Sequence, residues 1–230
     1  ALGDTLAHFD PSGQAPASSD LVLVGHSMGG VIARLMVSST DQSLVQLVAD
    51  DGRLTPQQIK RIDSMLHFEP VPNVSSAIFI AAPHRGTSIA GGRLGRWMAG
   101  FIRFPITMLE ELAHTLAPNV AASSRESLGS MPNSVDNLDE NDPFVRTAAG
   151  FPISSQVRYH SIVAQADPQV ALVDSDDGLV PYRSAHLPGA QSEKVITSGH
   201  SVQQDAVAIL EIQRILRKDM ALRGECSTQR

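Results

Sequence analysis

Residues 21–30, LVLVGHSMGG, decide the fold of this chain. The run LVLVG at 21–25 is apolar without alternation, which is typical of a strand buried on both faces of a parallel sheet. GHSMG at 25–29 then gives the pattern Gly-x-Ser-x-Gly around Ser27, and apolar residues recur at helical spacing to about Ser39. A strand, a glycine-flanked serine and a helix in this order predict a sharp turn that presents the serine at the carboxyl edge of a sheet.

The glycines on either side of Ser27 have a physical explanation. The turn holds the serine in a strained backbone conformation, in which we expect side chains at positions 25 and 29 to collide. It also directs the N-terminus of the next helix, including the backbone N–H of Met28, toward a developing negative charge. No lysine follows, as it would in a phosphate-binding P-loop. We therefore interpret Ser27 as a nucleophile and Met28 as an oxyanion donor.

Further along the chain, apolar segments predict three more strands: VSSAIFIAAP at 74–83, VRYHSIVAQ at 157–165 and EKVITS at 193–198. From Ala206 to Met220 apolar residues return every three or four positions, which predicts an amphipathic helix. Strands that alternate with helices favour an α/β fold with a doubly wound parallel sheet.

Residues 84–152 interrupt this alternation with an apolar segment, GRLGRWMAGFIRFPITMLEELAHTLAP, followed by a polar, turn-rich one. We interpret them as a helical lid inserted over the sheet edge, with 1–83 and 153–230 as the core domain; ordinary core packing is the alternative. The residues that we expect to line a substrate pocket are His26, Trp97, Phe101, Phe104 and Met108.

A serine hydroxyl is a poor nucleophile at neutral pH unless a base takes its proton. His200, in ITSGHSVQQD, lies between the last predicted strand and the last predicted helix, at the sheet edge where catalytic groups gather. We predict that His200 is the general base, with His84 and His186 in loops as alternatives. His26 is adjacent to Ser27, and we expect its ring to point away from the serine and to pack or bond locally.

The imidazole also needs an acid that orients it and stabilises its charged form. Three candidate carboxylates, Asp174, Asp176 and Asp177, follow the third predicted strand in DSDDGLVP at 174–181. We choose Asp177, because Gly178 after it lets the chain turn sharply. Asp176 is the runner-up, and a solvated acidic turn or a calcium loop is the alternative. The chain order serine, aspartate, histidine, each after a strand, is more specific than any one residue.

These segments resemble bacterial esterases and lipases of the α/β-hydrolase superfamily. The resemblance extends over about residues 21–219 and is carried by VGHSMGGVIARLMV (24–37), FIAAPHRGTSIA (79–90), DGLVPYRSAHLPGA (177–190) and SGHS (198–201). It implies an α/β-hydrolase fold, carboxylic ester substrates and the triad Ser27, Asp177 and His200. Bacterial lipases of this kind often bind calcium near the acid, but we find no matching ligand set and predict neither a metal nor a cofactor.

The first residues depart from this pattern. The superfamily usually has several strands before the nucleophile strand, and the loop after one of them supplies a second oxyanion donor. Residues 1–20 contain neither a strand nor such a motif. LVLVG would then lie at an exposed apolar sheet edge, which is a liability. We therefore expect N-terminal material to be missing, or the edge to be covered by a further copy of the chain in a homo-oligomer.

Composition limits the partners that we expect. The 230-residue chain has a net charge of −6 and no run of Lys and Arg, which argues against nucleic acid and anionic membrane surfaces. No apolar run approaches the roughly 20 residues of a membrane span. The first residues lack the features of a signal peptide, and the compartment stays open. The single cysteine, Cys226, cannot form an internal disulfide.

Together these features predict a serine hydrolase that cleaves short- to medium-chain carboxylic esters, small-molecule or lipid, through an acyl-enzyme. Thioesterase, acyltransferase and amidase activities are alternatives, because a triad does not determine the leaving group. An inactive or weakly active fragment with this fold is the alternative outside catalysis, since the second oxyanion donor is not located.

Overall fold

The structure, a computed structural model, describes residues 2–40, 67–88 and 138–222, with residues 56, 57, 59, 60 and 63. The described residues belong to two compact units. The first unit takes them from Ala1–Ser39, Glu69–His84 and Pro152–Arg230, and the second from Thr40–Phe68 and Arg85–Phe151. The predicted pocket residues Trp97, Phe101, Phe104 and Met108 lie outside the described residues, as do Cys226 and most of the segment interpreted as a lid.

A parallel sheet forms the centre of the first unit. Its four described strands are β1 (Leu21–His26), β2 (Val74–Ile80), β3 (Arg158–Gln165) and β4 (Ser192–Thr197), in that order across the sheet. Each neighbouring pair is parallel. The carboxyl ends of all four strands therefore meet at one edge, where loops can bring distant side chains together. The predicted strands are confirmed, with small shifts at their ends.

Helices flank these strands along the chain. The described α-helices are α1 (Leu2–Phe9), α2 (Pro16–Ser19), α3 (Met28–Met36), α4 (Pro143–Ala148), α5 (Tyr182–Ala185) and α6 (Ala206–Leu222). Short 3₁₀-helices cover Leu172–Asp174 and Val202–Gln204. In the described part of the chain, we find no helix with both the length and the apolar character needed to cross a membrane.

Successive side chains of β2 pack against helices on opposite faces of the sheet. Ile78 and Ile80 join a buried cluster that includes Ile215 of α6. Ala77 and Phe79 join a second cluster that includes Ala33 of α3 and Val37 directly after it. Helices on both faces of a parallel sheet make the predicted α/β architecture, which is confirmed.

β1 is less buried than its sequence predicts. It lies at one edge of the described sheet. Leu21 and Leu23 are partly buried against the α3 side of the core, but Val24, on the other face, is 51% exposed. The sheet residues that pack with α6 come from β2, β3 and β4. The expectation that LVLVG is buried on both faces is therefore wrong.

In the second unit, the segments 85–88 and 138–150 lie together. The N–H of Thr87 donates to the carbonyl of Leu138 at 2.8 Å. Gly86 has φ +73 and lies so close to the backbone of residues 138 and 140 that a Cβ atom would overlap with it. The glycine of the APHRGT segment is thus required by backbone conformation and by close packing.

Candidate active site

The turn at Ser27 joins β1 directly to α3. Ser27 has φ 54 and ψ −128, a backbone conformation that costs on the order of 1–3 kcal/mol in a residue other than glycine. Its N–H donates to the carbonyl of Ile80 on β2 at 2.9 Å, which anchors the turn to the neighbouring strand. The predicted strand, strained serine and helix are confirmed.

The glycines around this serine are not equally constrained. A Cβ atom on Gly25 would overlap with the backbone of Gly29 and Gly30, and one on Gly30 would overlap with the methyl group of Ala82. At Gly29 an added Cβ would meet nothing within 4 Å. The predicted collision is therefore confirmed at position 25 and wrong at position 29. Gly30 is the second constrained glycine, because α3 packs there against the segment after β2.

The three side chains predicted to act together form one hydrogen-bonded chain. Nε2 of His200 lies 2.8 Å from Oγ of Ser27, and its Nδ1 lies 2.8 Å from Oδ2 of Asp177. Their exposed fractions are 3% for Ser27, 4% for Asp177 and 6% for His200. Because a carboxylate only accepts, Nδ1 carries the proton and Nε2 of a neutral ring is left to accept from the serine.

The loop after β3 orients the carboxylate of Asp177. Its Oδ1 accepts from the N–H groups of Leu179 at 2.9 Å and Val180 at 2.7 Å. Gly178, which follows Asp177 directly, has φ +91, as the predicted sharp turn requires. With Oδ1 held by the backbone, Oδ2 faces His200.

Asp176, the alternative acid, is turned the other way. It is exposed, and its Oδ1 accepts from the N–H of Gly178 at 2.7 Å. The structure thus brings Asp177, and not Asp176, against His200. The catalytic roles of the triad residues themselves stay predictions.

The two alternative bases have other neighbours. His84 is buried, with its ring edge-on to Phe79 at 5.0 Å between centroids. His186 places Nδ1 2.7 Å from Oε2 of Glu193, and the hydroxyl of Tyr182 donates to the other carboxylate oxygen at 2.7 Å. Burial and then the hydrogen bond to Glu193 raise the pKa of Tyr182 to about 12. These contacts join α5 to β4.

His26 makes a contact that the sequence does not indicate. Its Nε2 lies 2.8 Å from the carbonyl oxygen of His200, which is 174 positions away in the chain. The expectation that the His26 ring bonds only locally is therefore wrong. The two rings are 5.1 Å apart between centroids and tilted by 45°. Burial lowers the pKa of His26 below its ordinary value, and the hydrogen bond to His200 offsets this in part. A place for His26 in the substrate pocket stays a prediction.

Met28 is the first residue of α3. The first N–H groups of a helix have no partner within the helix and lie at its positive end. A role of the Met28 N–H as oxyanion donor stays a prediction. In the described part of the chain, we find no group of three or more His, Cys, Asp or Glu side chains that could hold a metal ion.

Solved structures of bacterial lipases and esterases are similar to this chain. The mature lipase BlEst2 of Bacillus licheniformis is 16% identical, over 94% of this chain and 69% of its own, with a TM-score of 0.47. The lipase of Staphylococcus hyicus is 14% identical, over 91% and 72% of the two chains, with a TM-score of 0.48. The metagenomic carboxyl esterase MGS0156 is 14% identical, over 86% and 48%, with a TM-score of 0.40. No curated protein sequence matches the chain.

A family model gives the classification directly. The model of the alpha/beta hydrolase family matches residues 2–212. That span contains the four described strands, the turn at Ser27, the loop that carries Asp177 and the segment that carries His200. The chain therefore belongs to the alpha/beta hydrolase family.

Proposed function

We propose that this chain is a carboxylic ester hydrolase that forms an acyl-enzyme on Ser27. The observation that carries the proposal is the hydrogen-bonded chain from Ser27 Oγ through His200 to Asp177, with 2.8 Å at both steps. A base within hydrogen-bond distance of a hydroxyl, itself oriented by a carboxylate, is the arrangement that activates a serine. Burial of all three groups supports the same reading, because charge interactions are stronger away from water.

Acylation is the first half of the reaction. As Oγ of Ser27 attacks the ester carbonyl carbon, Nε2 of His200 takes the hydroxyl proton. Asp177 then stabilises the imidazolium through its bond to Nδ1–H. The oxyanion lies toward the positive end of α3 and accepts from the N–H of Met28. When the intermediate collapses, His200 gives its proton to the leaving alcohol, and the acyl group stays on Ser27.

Deacylation repeats these steps with water. His200 takes a proton from a water molecule as the oxygen attacks the acyl carbon, and it returns that proton to Oγ of Ser27 when the acid leaves. The enzyme is regenerated with no cofactor in any step. The choice of esters over other acyl compounds is supported by the sequence resemblance to bacterial esterases and lipases, including the FIAAPHRGTSIA segment at 79–90.

Hydrolysis of p-nitrophenyl esters, from acetyl to dodecanoyl, tests the proposal. We expect the chain to cleave short- and medium-chain esters and the Ser27→Ala variant to lose at least about 10³-fold in kcat. Ser201→Ala is the matched control, since Ser201 is an exposed serine next to His200. A folded chain that cleaves none of the esters, or a Ser27→Ala variant that keeps its activity, would overturn the proposal. A p-nitrophenyl thioester in the same series separates esterase from thioesterase activity.

A further inference from the structure

We infer that His26 is a positioning residue, whose Nε2–H holds the main chain of the catalytic base from the position next to the nucleophile. The inference rests on the proposed function, in which His200 is that base. It gives His26 a part in catalysis that does not require contact with the substrate.

The chemistry of the contact determines the direction of the hydrogen bond. The partner of His26 Nε2 is a backbone carbonyl oxygen, at 2.8 Å. A carbonyl only accepts, so Nε2 carries the proton. A neutral ring with its proton on Nε2 is sufficient, and burial of His26 favours the neutral ring by lowering its pKa.

The bond reaches across the sheet. His26 is the last residue of β1, and His200 follows β4, so the two strands that they extend lie at opposite edges of the described sheet. His200 comes after the last residue of β4, Thr197, in a segment that is no longer part of a strand. The bonds to Ser27 and Asp177 hold its ring, whereas the bond from His26 holds its main chain.

This main-chain bond matters because proton transfer depends sharply on distance and angle. Ser27 and His26 are consecutive residues, so a bond from His26 ties the base to the turn that presents the nucleophile. Any displacement of the turn then carries the base with it. Loss of the bond leaves the triad residues present but less precisely placed, which lowers the rate of the chemical step more than substrate affinity.

The electrostatics of the pair support the same role. The two rings lie 5.1 Å apart between centroids, and His200 becomes positively charged when it takes the serine proton. A second charged ring at this distance would oppose that step. Among the described residues, the charge of Asp177 raises the pKa of His26, and the positive charge that the His200 ring can carry lowers it, while the hydrogen bond to the His200 carbonyl raises it. A partly buried neutral donor is compatible with the charged base, whereas a Lys or Arg at position 26 would not be.

Two substitutions of similar length separate the N–H donor from the bulk of the ring. Gln can place an amide N–H about as far from Cβ as Nε2 of histidine, and Met has the same chain length without a donor. We would measure kcat and KM for p-nitrophenyl butyrate with the wild-type chain, His26→Gln and His26→Met. The rate of inactivation by a fluorophosphonate would be measured on the same samples, with thermal unfolding to verify that each variant is folded.

For His26→Met we expect kcat to fall by roughly 10- to 100-fold, the effect of losing one partly buried hydrogen bond next to the reacting groups. KM should change little, and the inactivation rate should fall in parallel with kcat. For His26→Gln we expect most of both rates to return. Equal losses in both variants would overturn the inference in favour of ring packing. A rise in KM with kcat unchanged would overturn the inference in favour of substrate contact. A His26→Met variant with the wild-type kcat would overturn it too, because the hydrogen bond would then have no effect on the reaction.

A ¹H NMR measurement, which does not require the chain to be active, tests this inference separately from the proposed function. The proton on Nδ1 of His200, shared with Asp177, is observable in the downfield region of a ¹H NMR spectrum. If the wild-type chain neither cleaves esters nor reacts with the fluorophosphonate, the proposed function fails, and the NMR signal still reports on His26. Loss or broadening of that signal in His26→Met, with recovery in His26→Gln, supports positioning. An unchanged signal in His26→Met overturns it.

Discussion

Asp176 and Asp177 are adjacent aspartates with different surroundings. Asp177 is 4% exposed and faces His200, whereas Asp176 is exposed and caps the turn through the N–H of Gly178. The backbone N–H groups of the turn hold the two carboxylates in different places, since Gly178 donates to Asp176, and Leu179 and Val180 donate to Asp177. Both residues are aspartates, so only the backbone geometry determines which carboxylate faces His200.

This pair gives a prediction at the scale of single residues. Asp177→Asn should lower kcat for ester hydrolysis by about 10⁴-fold, because an amide no longer fixes the tautomer of His200 or stabilises its charged form. Asp176→Asn is the matched control and should retain kcat within about threefold, since it loses only an exposed hydrogen bond. Steady-state kinetics on both variants measure the difference. A larger loss of kcat in Asp176→Asn than in Asp177→Asn would show that the assignment of Asp177 as the acid is wrong.

At the scale of elements, the approach of α3 to the sheet depends on Gly30. Gly30→Ala should lower the free energy of unfolding by about 1–3 kcal/mol, because its methyl group would overlap with that of Ala82. Gly29→Ala is the matched control: an added methyl there meets nothing within 4 Å, and alanine is about 1 kcal/mol more favourable than glycine in a helix. Urea unfolding of the two variants tests the contrast, and equal destabilisation would contradict the packing described for α3.

A partly buried ion pair joins α6 to β3. Nε of Arg158 donates to Oδ1 of Asp219 at 3.1 Å, and the side chains are 29% and 4% exposed. Asp219→Ala should lower the free energy of unfolding by about 1–3 kcal/mol, less than for a fully buried pair because Arg158 still reaches water. Glu211→Ala, which breaks the more exposed pair with Arg214 within α6, should cost at most about 1 kcal/mol. Similar unfolding midpoints for the two variants would show that the pair between Arg158 and Asp219 does not stabilise the packing of α6.

At the scale of the whole molecule, the partly buried His26 and the buried His160 link stability to pH. Burial is the main cause that lowers the pKa of both His26 and His160. In the unfolded chain each ring binds a proton near about pH 6.5, whereas in the folded chain it resists protonation. Below that pH the unfolded state binds more protons, so stability falls as the pH falls. The slope is at most about 1.4 kcal/mol per pH unit for a group that stays neutral in the folded chain, and it is smaller for His26, which is only partly buried.

His26→Gln removes one of these two groups and should make the loss of stability shallower. The free energy of unfolding, measured by urea between about pH 8 and pH 5, gives the slope for the variant and for the wild-type chain. The neighbours that set the His160 contribution, Arg214, Lys218, Asp219 and Glu211, are unchanged in the variant. Identical slopes would mean that His26 takes up its proton equally in the folded and unfolded states.

The sequence predicts the parts of the molecule that depend on local pattern. Apolar runs indicate the four strands, and the glycine at 178 indicates the turn that presents Asp177. Contacts between distant segments leave no such pattern. The bond from His26 to His200 and the approach of Gly30 to Ala82 join segments that only the fold brings together, so neither could be predicted. The partial exposure of β1 likewise depends on which strands lie beside it.

Covalent labelling of Ser27 by a fluorophosphonate tests the central claim most directly, because the reagent requires an activated serine and no particular ester. Peptide mapping by mass spectrometry would locate the adduct in the wild-type chain and in His200→Ala. We predict a single adduct on Ser27, formed at least about 10³-fold more slowly in the variant that lacks the base. A folded wild-type chain with no adduct, or with an adduct on another serine, would contradict the assignment of Ser27 as the nucleophile.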